Sequence, residues 1–290
     1  MRAGLCSYAY RWAISHPDEI ERMDTFKFLD RAVEIGANAV QICDNLPIEF
    51  FNNTELASLK DYVNKNTLSL ELGMKGSQTE RVEKMISHCK KLDVSVLRIV
   101  LSDKGWNLSK AEYKDLLTDL TKEAEDKHVI LAVENHFEMS SHDLAQIIES
   151  VNSPNLGVCV DVVNSVTHLC GYKEACIVLA PYAVSVHIKD VKLNRFQEIF
   201  RTDGQPWVSQ QTRKEILDTF STGFYISGCQ LGEGVIDINW IINEISKNNH
   251  NPDIFIESWM DPKSTVDETI TAEQDMVEKD FDTLKKYINE

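Results

Sequence analysis

The sequence predicts an α/β fold in which a single domain forms a (β/α)8 barrel, also called a TIM barrel. Apolar, β-branched runs begin near residues 4, 39, 68, 96, 129, 156, 183 and 254. The first seven starts lie 27 to 35 residues apart, with helical patterns between them. Eight such βα units close a barrel. The alternative is an open doubly wound sheet, which more often carries a Gly-rich phosphate-binding turn after its first strand, and this sequence has none there.

The predicted strands follow directly from these runs. They show no polar alternation until their last residues, which is typical of parallel strands buried on both faces. In chain order they are residues 4–10, 39–44, 68–74, 96–102, 129–134, 156–161, 183–189 and 254–258. The first helix is predicted to have Asp24 as its N-cap and to end at Gly36, and the second to cover 54–65 with Thr54 as its cap. Apolar residues at helical spacing mark the later helices.

The interval before the eighth strand holds a long insertion at about 191–235. Its basic and aromatic residues are numerous for a surface elaboration: Arg195, Phe196, Phe200, Arg201, Trp207, Arg213, Phe224 and Tyr225. We expect a single domain over 1–290 in which this insertion is a lid that excludes water from the site, or a contact in a homo-oligomer.

Composition narrows the classes of function. The chain has 46 acidic and 30 basic residues, a formal charge of -16, so its field should repel nucleic acid. No apolar run is long enough to span a bilayer, and the N-terminus lacks the apolar region of a signal peptide. The seven cysteines are scattered and form no CxxC motif. We therefore predict a reduced, cytoplasmic protein that binds neither nucleic acid nor a membrane.

Four of the predicted strands end in a group able to bind a metal ion. These groups are Glu134, Asp161, His187 and Glu257, at strands five to eight. Parallel neighbours point their carboxyl ends the same way, so the four side chains should meet at one rim of the barrel. Three carboxylates and an imidazole suit a divalent Mn, Mg, Co or Zn ion. For any one of them alone, a helix cap or a surface ion pair is the simpler interpretation.

Several motifs carry a resemblance to a known family. VENH, VDVVNS, HIKD, LGEG and IES, in this order, together with the opening CSYAYRW, resemble the xylose isomerase-like superfamily of sugar phosphate isomerases and epimerases. The resemblance covers nearly the whole chain. It implies one divalent ion held by the four residues above. We expect Mn²⁺ or Mg²⁺ in preference to Co²⁺ or Zn²⁺. It also implies that Glu134 and Glu257 exchange protons with the carbons next to a metal-polarised carbonyl.

Five further residues are candidates for substrate binding, each with a plainer alternative. Lys189 points to the same side of its strand as His187 and is predicted to contact a substrate oxygen rather than solvent. His136 either reaches a substrate hydroxyl or only packs, and Tyr8 either lines the pocket or belongs to the core. Glu233 lies in a loop that should approach the rim, or is a turn residue. Either Arg195 or Lys192 could stand where some family epimerases carry an arginine after the metal histidine.

The leading functional prediction is a metal-dependent isomerase or epimerase that acts on a sugar, sugar acid or keto-polyol. A lyase with the same enolate chemistry is the alternative, either a decarboxylase of a 3-oxo sugar acid or an inosose-type dehydratase. An apurinic-site endonuclease shares the barrel, but the charge of -16 argues against it. A non-catalytic sugar-binding barrel would have little need to retain four metal ligands.

Overall fold

Eight parallel strands close into a barrel, as predicted. The computed structural model describes residues 1–102, 108–195, 224–248 and 251–289. The barrel strands are β1 (Ala3–Cys6), β2 (Ala39–Ile42), β3 (Ser69–Lys75), β4 (Val96–Val100), β5 (Ile130–Glu134), β6 (Leu156–Asp161), β7 (Ala183–Ile188) and, eighth around the ring, β10 (Asp253–Ile256). Their order around the ring is β1-β10-β7-β6-β5-β4-β3-β2. The (β/α)8 prediction is thereby confirmed.

Helices surround the barrel and bury its outer face. Those described are α1 (Arg11–Ile14), α2 (Thr25–Glu34), α3 (Asn53–Lys65), α4 (Thr79–Leu92), α5 (Lys110–Lys127), α6 (Ser141–Val151), α7 (Tyr172–Leu179), α8 (Ile238–Ser246) and α9 (Val266–Asn289). The main apolar core lies between these helices and the outer faces of the strands. Two smaller apolar clusters are separate from it, one around Phe255 and one around Cys159, and buried polar side chains such as Gln41 and Glu71 lie among the strands as well. No described helix combines the length and the apolar composition that crossing a bilayer requires.

The ends of α2 are as predicted, whereas the start of α3 is not. Asp24 accepts hydrogen bonds from the backbone of Phe26 and Lys27, and Gly36 follows the helix with φ +80°. At α3 the cap is Asn52 rather than Thr54. The Asn52 side chain accepts from the N–H groups of Thr54 and Glu55, and the Glu55 carboxylate accepts from the Asn52 N–H. This reciprocal capping box satisfies more free N–H groups than a cap at Thr54 could.

The first strand is shorter than the predicted 4–10. It ends at Cys6, and Ser7–Tyr10 form a 3₁₀ turn. The change follows from the neighbouring loop, because the Ser7 hydroxyl accepts from the Cys43 N–H and donates to Asn45, which draws the chain away from the strand direction.

The predicted insertion begins and ends in an antiparallel hairpin. Strands β8 (Asp190–Arg195) and β9 (Phe224–Cys229) pair from Asp190 opposite Cys229 to Arg195 opposite Phe224. Residues 196–223 lie outside the described residues, and with them most of the aromatic and basic residues that suggested a lid or an oligomer contact. Both roles stay predictions.

Asp190 holds the base of this hairpin to the loop before α8. Its carboxylate accepts from the backbone N–H groups of Val191, Gly232, Gly234 and Ile236 at 2.8–3.0 Å. A buried carboxylate with several N–H donors is well compensated, so it fixes the loop.

Candidate metal centre and substrate cavity

The barrel order brings the four predicted ligands to one rim. Strands β5, β6, β7 and β10 are consecutive around the ring, and Asp161 pairs directly with His187. Glu257 follows β10, and its N–H still donates to the carbonyl of Ile188 at 2.9 Å. All four side chains are buried. The site therefore arises because parallel neighbours end side by side.

His187 lies at the centre of this group. Its Nδ1 atom is 3.3 Å from Glu134 Oε2, 3.4 Å from Glu257 Oε2 and 4.0 Å from Asp161 Oδ2. Its other nitrogen, Nε2, lies 2.7 Å from Oε1 of Gln41. Among the described residues, no hydrogen-bond partner satisfies the buried Nδ1. A buried nitrogen that faces three carboxylate oxygens in this way fits a cation ligand.

The local backbone orients Asp161 toward the cluster. One carboxylate oxygen, Oδ1, accepts from the N–H groups of Val163 and Asn164 at 2.8 and 2.9 Å. The backbone of Asp161 also pairs with the Asn135 side chain in both directions. Only Oδ2 is left to face His187, so Asp161 can offer one oxygen to an ion.

Two buried cations balance the carboxylates. Lys189 Nζ donates to Asp161 Oδ2 at 2.5 Å and to Glu257 Oε2 at 2.6 Å. Arg98 Nε donates to Glu134 Oε2 at 2.6 Å. Each of the three carboxylates thus forms an ion pair with Lys189 or Arg98. These ion pairs reduce the repulsion among the carboxylates, which can therefore lie close together.

The electrostatics of the cluster keep two of the carboxyls ionised. Burial by itself would raise the pKa of Glu257, but Lys189 and His187 outweigh it and hold that pKa well below its usual range. Burial likewise opposes ionisation of Glu134, yet Arg98 and His187 lower its pKa. For Asp161 burial prevails over Lys189 and the pKa is raised. Burial would lower the pKa of His187, but Cys159 and the two glutamates raise it well above its ordinary value.

The donors present fit a divalent ion. Asp161, His187 and Glu257 offer ligand atoms that lie within 4.8 Å of one another, and so do Glu134, Cys159 and His187. Cys159 is a poorer candidate than the carboxylates, since burial raises the pKa of its thiol to about 11. One imidazole with three carboxylates is a hard, oxygen-rich set suited to Mg²⁺ or Mn²⁺.

A cavity of about 330 Å³ opens onto this cluster from outside the barrel. Three of the five predicted substrate residues line it: His136, Tyr8 and Lys189. The His136 Nδ1 atom is 3.1 Å from Glu138 Oε1, and the Tyr8 hydroxyl donates to Asp44 at 2.9 Å. Lys189 lies at its floor, 4.4 Å from the centre of the Trp259 ring. The cavity is therefore large enough for a small carbohydrate-type molecule.

The two remaining candidates lie away from this cavity. Glu233 is about half exposed in the turn after β9, and its Oε2 is 3.5 Å from Lys192 Nζ. Arg195 is exposed at the far end of β8, opposite Phe224. Neither belongs to the described lining of the cavity. Their predicted role in substrate binding would need the hairpin to approach the site.

Several polar residues of the site were missed in the sequence. Asn164 donates to Glu134 Oε1 at 3.1 Å, and Lys75, Asn45 and Trp259 line the cavity. Gln41 had a readable signal, since it is the one polar residue in the run AVQIC and has the parity of an inward-facing position. Asn164 stands within the VDVVNS motif. Asn45 and Trp259 lie in loops whose direction the sequence pattern does not specify, and Lys75 is the last residue of β3.

Arg98 and Glu71 both face the barrel interior, on neighbouring strands, but they do not form an ion pair with each other. Arg98 binds Glu134 and, at 3.4 Å, Asp44, whereas Glu71 accepts hydrogen bonds from Gln41 and Ser185. The candidate ligand Glu134 lies on the neighbouring strand and binds the guanidinium instead.

Known proteins share this fold, and one of them is similar in sequence over nearly the whole chain. A 3-oxo-isoapionate decarboxylase from Pectobacterium atrosepticum is 27% identical over 94% of this chain and 91% of its own length. The structure of a D-psicose 3-epimerase from Clostridium cellulolyticum H10, solved with D-tagatose, superposes with a TM-score of 0.70 at 15% identity, covering 100% of this chain and 99% of the epimerase. A xylose isomerase-like TIM barrel protein from Mycobacterium smegmatis, solved with magnesium, gives 0.64 at 13% identity, covering 97% of each chain.

A family model described as a xylose isomerase-like TIM barrel matches residues 29–287. The resemblance that the motifs suggested is thereby confirmed. Because the match spans most of the 290 residues, the chain belongs to the xylose isomerase-like TIM barrel family.

Proposed function

We propose that this protein is a metal-dependent lyase that decarboxylates a 3-oxo sugar acid. The observation that carries the proposal is the charge of the cavity. Four cationic residues line it, Arg11, Lys75, Arg98 and Lys189, together with the anionic Asp44, Glu134 and Glu257. Asp161, behind Lys189, is a fourth anion. With the ion bound, Asp161 would be ionised and His187 neutral, so four cations and four anions would balance and the divalent ion would leave two positive charges for an anionic substrate.

The sequence relative supports the same assignment. The decarboxylase from Pectobacterium atrosepticum is similar over nearly the full length of both chains. Its name describes a 3-oxo acid, and such an acid combines the two groups that this cavity suits. The carboxylate would meet Arg11 and Lys75 near the mouth, and the keto oxygen would meet Lys189 at the floor.

In this mechanism, the bond between the carboxylate carbon and the adjacent carbon breaks, and carbon dioxide leaves. The electron pair of that bond moves toward the keto oxygen. A divalent ion held by Glu134, Asp161, His187 and Glu257 would supply positive charge where the oxygen becomes negative. Lys189 then donates a proton to the carbon and is reprotonated by water. Its position over the Trp259 ring keeps the ammonium at the closed end of the cavity.

Isomerisation or epimerisation of a sugar is the second candidate. Glu134 Oε2 and Glu257 Oε2 lie at nearly equal distances, 3.3 and 3.4 Å, from His187 Nδ1. Two carboxylates so placed could remove a proton from one side of a substrate carbon and return it from the other. The structural similarity to sugar epimerases agrees with this reaction but is evidence for the fold alone.

Incubation of the Mn²⁺-loaded protein with 3-oxo sugar acids in D₂O separates the two. A decarboxylase releases carbon dioxide and places one deuterium in the product. An isomerase or epimerase releases no carbon dioxide and exchanges deuterium into the carbon beside the carbonyl of a neutral sugar. Lys189→Met should still bind Mn²⁺ while losing carbon dioxide release. Deuterium exchange into neutral ketoses without any carbon dioxide from the acids would refute the lyase assignment.

A further inference from the structure

A buried chain of hydrogen bonds crosses the barrel interior below the candidate metal centre. Gln41 of β2 lies between Glu71 of β3 and His187 of β7, and Ser185 of β7 joins them. Gln41 and Glu71 are direct partners across β2 and β3. Gln41, Ser185 and His187 are fully buried, and Glu71 is nearly so. None of the proposed chemistry uses Gln41, Glu71 or Ser185.

The orientation of the Gln41 amide is determined by its neighbours. Its Nε2 donates to Glu71 Oε2 at 2.9 Å and to Ser185 Oγ at 3.2 Å. The Ser185 hydroxyl donates its own proton to Glu71 Oε2 at 2.8 Å, so in its contact with Gln41 it can only be the acceptor. Burial raises the pKa of Glu71 to about 7, but Oε2 accepts both bonds even when a proton sits on the other oxygen. The amide oxygen of Gln41 is therefore turned toward His187.

That oxygen decides which nitrogen of His187 carries a proton. Gln41 Oε1 also accepts from the Cys43 thiol at 3.2 Å and offers no proton, so His187 Nε2 must donate across the 2.7 Å contact. The lone pair that remains when His187 is neutral is then on Nδ1, the nitrogen that faces the three carboxylates. An outer hydrogen bond of this kind fixes both the tautomer and the plane of a metal-binding imidazole.

We propose that Gln41 is a positioning residue that holds His187 ready to bind a cation through Nδ1, and that Glu71 and Ser185 orient Gln41 for this role. The inference rests on the metal centre assigned under the proposed function. It concerns residues that touch neither the ion nor the substrate, and it assigns a purpose to polar groups in a barrel interior where apolar packing would otherwise be expected.

Two variants separate the acceptor role from mere packing. Gln41→Met keeps the approximate length of the side chain but removes the acceptor. The double variant Gln41→Glu with Glu71→Gln exchanges the carboxyl and the amide, so position 41 still accepts from His187 and position 71 donates to it. Mn²⁺ affinity is measured without substrate, from the electron paramagnetic resonance signal of the free ion. Circular dichroism of the metal-free proteins reports whether each is folded.

We expect Gln41→Met to raise the dissociation constant for Mn²⁺ by roughly 10- to 100-fold, the usual effect of losing such an outer partner. The exchanged pair should stay within about threefold of the wild type, because the acceptor is restored. Ser185→Ala, a smaller change that leaves His187 and Gln41 in place, should weaken binding to a lesser degree and serves if Gln41→Met does not fold.

Wild-type affinity in both Gln41→Met and Ser185→Ala would overturn the proposal, as would a folded exchanged pair that binds as weakly as Gln41→Met. A wild-type protein that binds no Mn²⁺ at all would instead refute the metal centre itself, and the proposed function with it.

Discussion

Glu257 has two proposed roles, ion ligand and base, and its deletion would not separate them. Its Oε2 atom faces both His187 Nδ1 and Lys189 Nζ, so Glu257→Ala would remove an ion ligand and a reactive carboxylate together. Glu257→Gln keeps an oxygen that can bind an ion while it removes the base. With excess Mn²⁺ to restore ion binding, isomerase or epimerase turnover should fall by about 10²- to 10⁴-fold, whereas decarboxylation, in which Lys189 donates the proton, should be retained.

The matched control is Glu174→Gln, an exposed carboxylate on α7 that should leave turnover unchanged. Steady-state rates at saturating Mn²⁺ are the measurement. If Glu257→Gln turned over at the wild-type rate, Glu257 would be a ligand only, and proton transfer by the paired glutamates would be excluded.

At the scale of the element, Gly228 allows the β8–β9 hairpin to lie close to the backbone of Trp259. A Cβ atom at Gly228 of β9 would lie 1.8 Å from the carbonyl oxygen of Trp259. Gly228→Ala must therefore push the hairpin away from the segment that carries the Trp259 ring beneath Lys189. We expect a loss of about 1–3 kcal/mol in the free energy of unfolding and a raised KM.

Gly171→Ala is the comparison for this change, because a Cβ there would meet nothing within 4 Å. Its cost should be on the order of 0.5 kcal/mol, from a poorer helix cap alone. Urea unfolding and substrate titration of both variants provide the test. Equal stability of the Gly228→Ala and Gly171→Ala variants would show that the hairpin can move away from Trp259 at no cost in free energy.

The last helix, α9, contains a buried acid that should make stability depend on pH. Asp280 accepts from the Leu231 N–H and from the Ser258 hydroxyl. Burial raises its pKa from 3.8 to about 6. A raised pKa means that the folded state binds the proton more tightly than the unfolded state does. This contribution to stability is present below pH 4 and is lost as the pH rises through about 6.

Asp280→Asn imitates the protonated form, since the amide can accept from Leu231 and donate to Ser258. We expect it to gain up to about 2 kcal/mol relative to the wild type between pH 4.5 and pH 7.5, and so to flatten this part of the stability profile. The exposed Asp282→Asn on the same helix is the control and should not alter the profile. Urea unfolding at the two pH values decides; parallel profiles for Asp280→Asn and the wild type would count against the buried-acid explanation.

For the whole molecule, ion binding should stabilise the folded chain by mass action. At an Mn²⁺ concentration 100 times the dissociation constant, the gain is about 2.7 kcal/mol, which for a domain of this size raises the Tm by about 4 °C. His187→Ala should abolish this shift, whereas His142→Ala, at an exposed histidine on α6, should retain it. Thermal unfolding with and without Mn²⁺ measures the effect. A full Mn²⁺-dependent shift in His187→Ala would place the ion elsewhere.

The sequence by itself determined the barrel and which candidate metal ligands lie at its rim. The βα repeat was readable because each unit carries its own apolar periodicity, and the four candidate ligands because each closes an apolar run. Adjacent parallel strands end at the same edge, so placing Glu134, Asp161 and His187 together needed no knowledge of packing. Local signals were less reliable, as Asn52 in place of Thr54 at the start of α3 illustrates.

Only the tertiary structure decided which polar groups meet inside the barrel. Gln41 and His187 are 146 residues apart in the chain and lie on strands that are not neighbours in the ring. The tertiary structure also decided that Arg98 pairs with Glu134 rather than with Glu71. It likewise placed Lys189 between Asp161 and Glu257. The physical reason is that a strand pattern specifies which face a side chain occupies, whereas closure of the ring decides what lies opposite it. Because an unpaired buried charge is unfavourable, each charged side chain then pairs with the group that ring closure brings next to it.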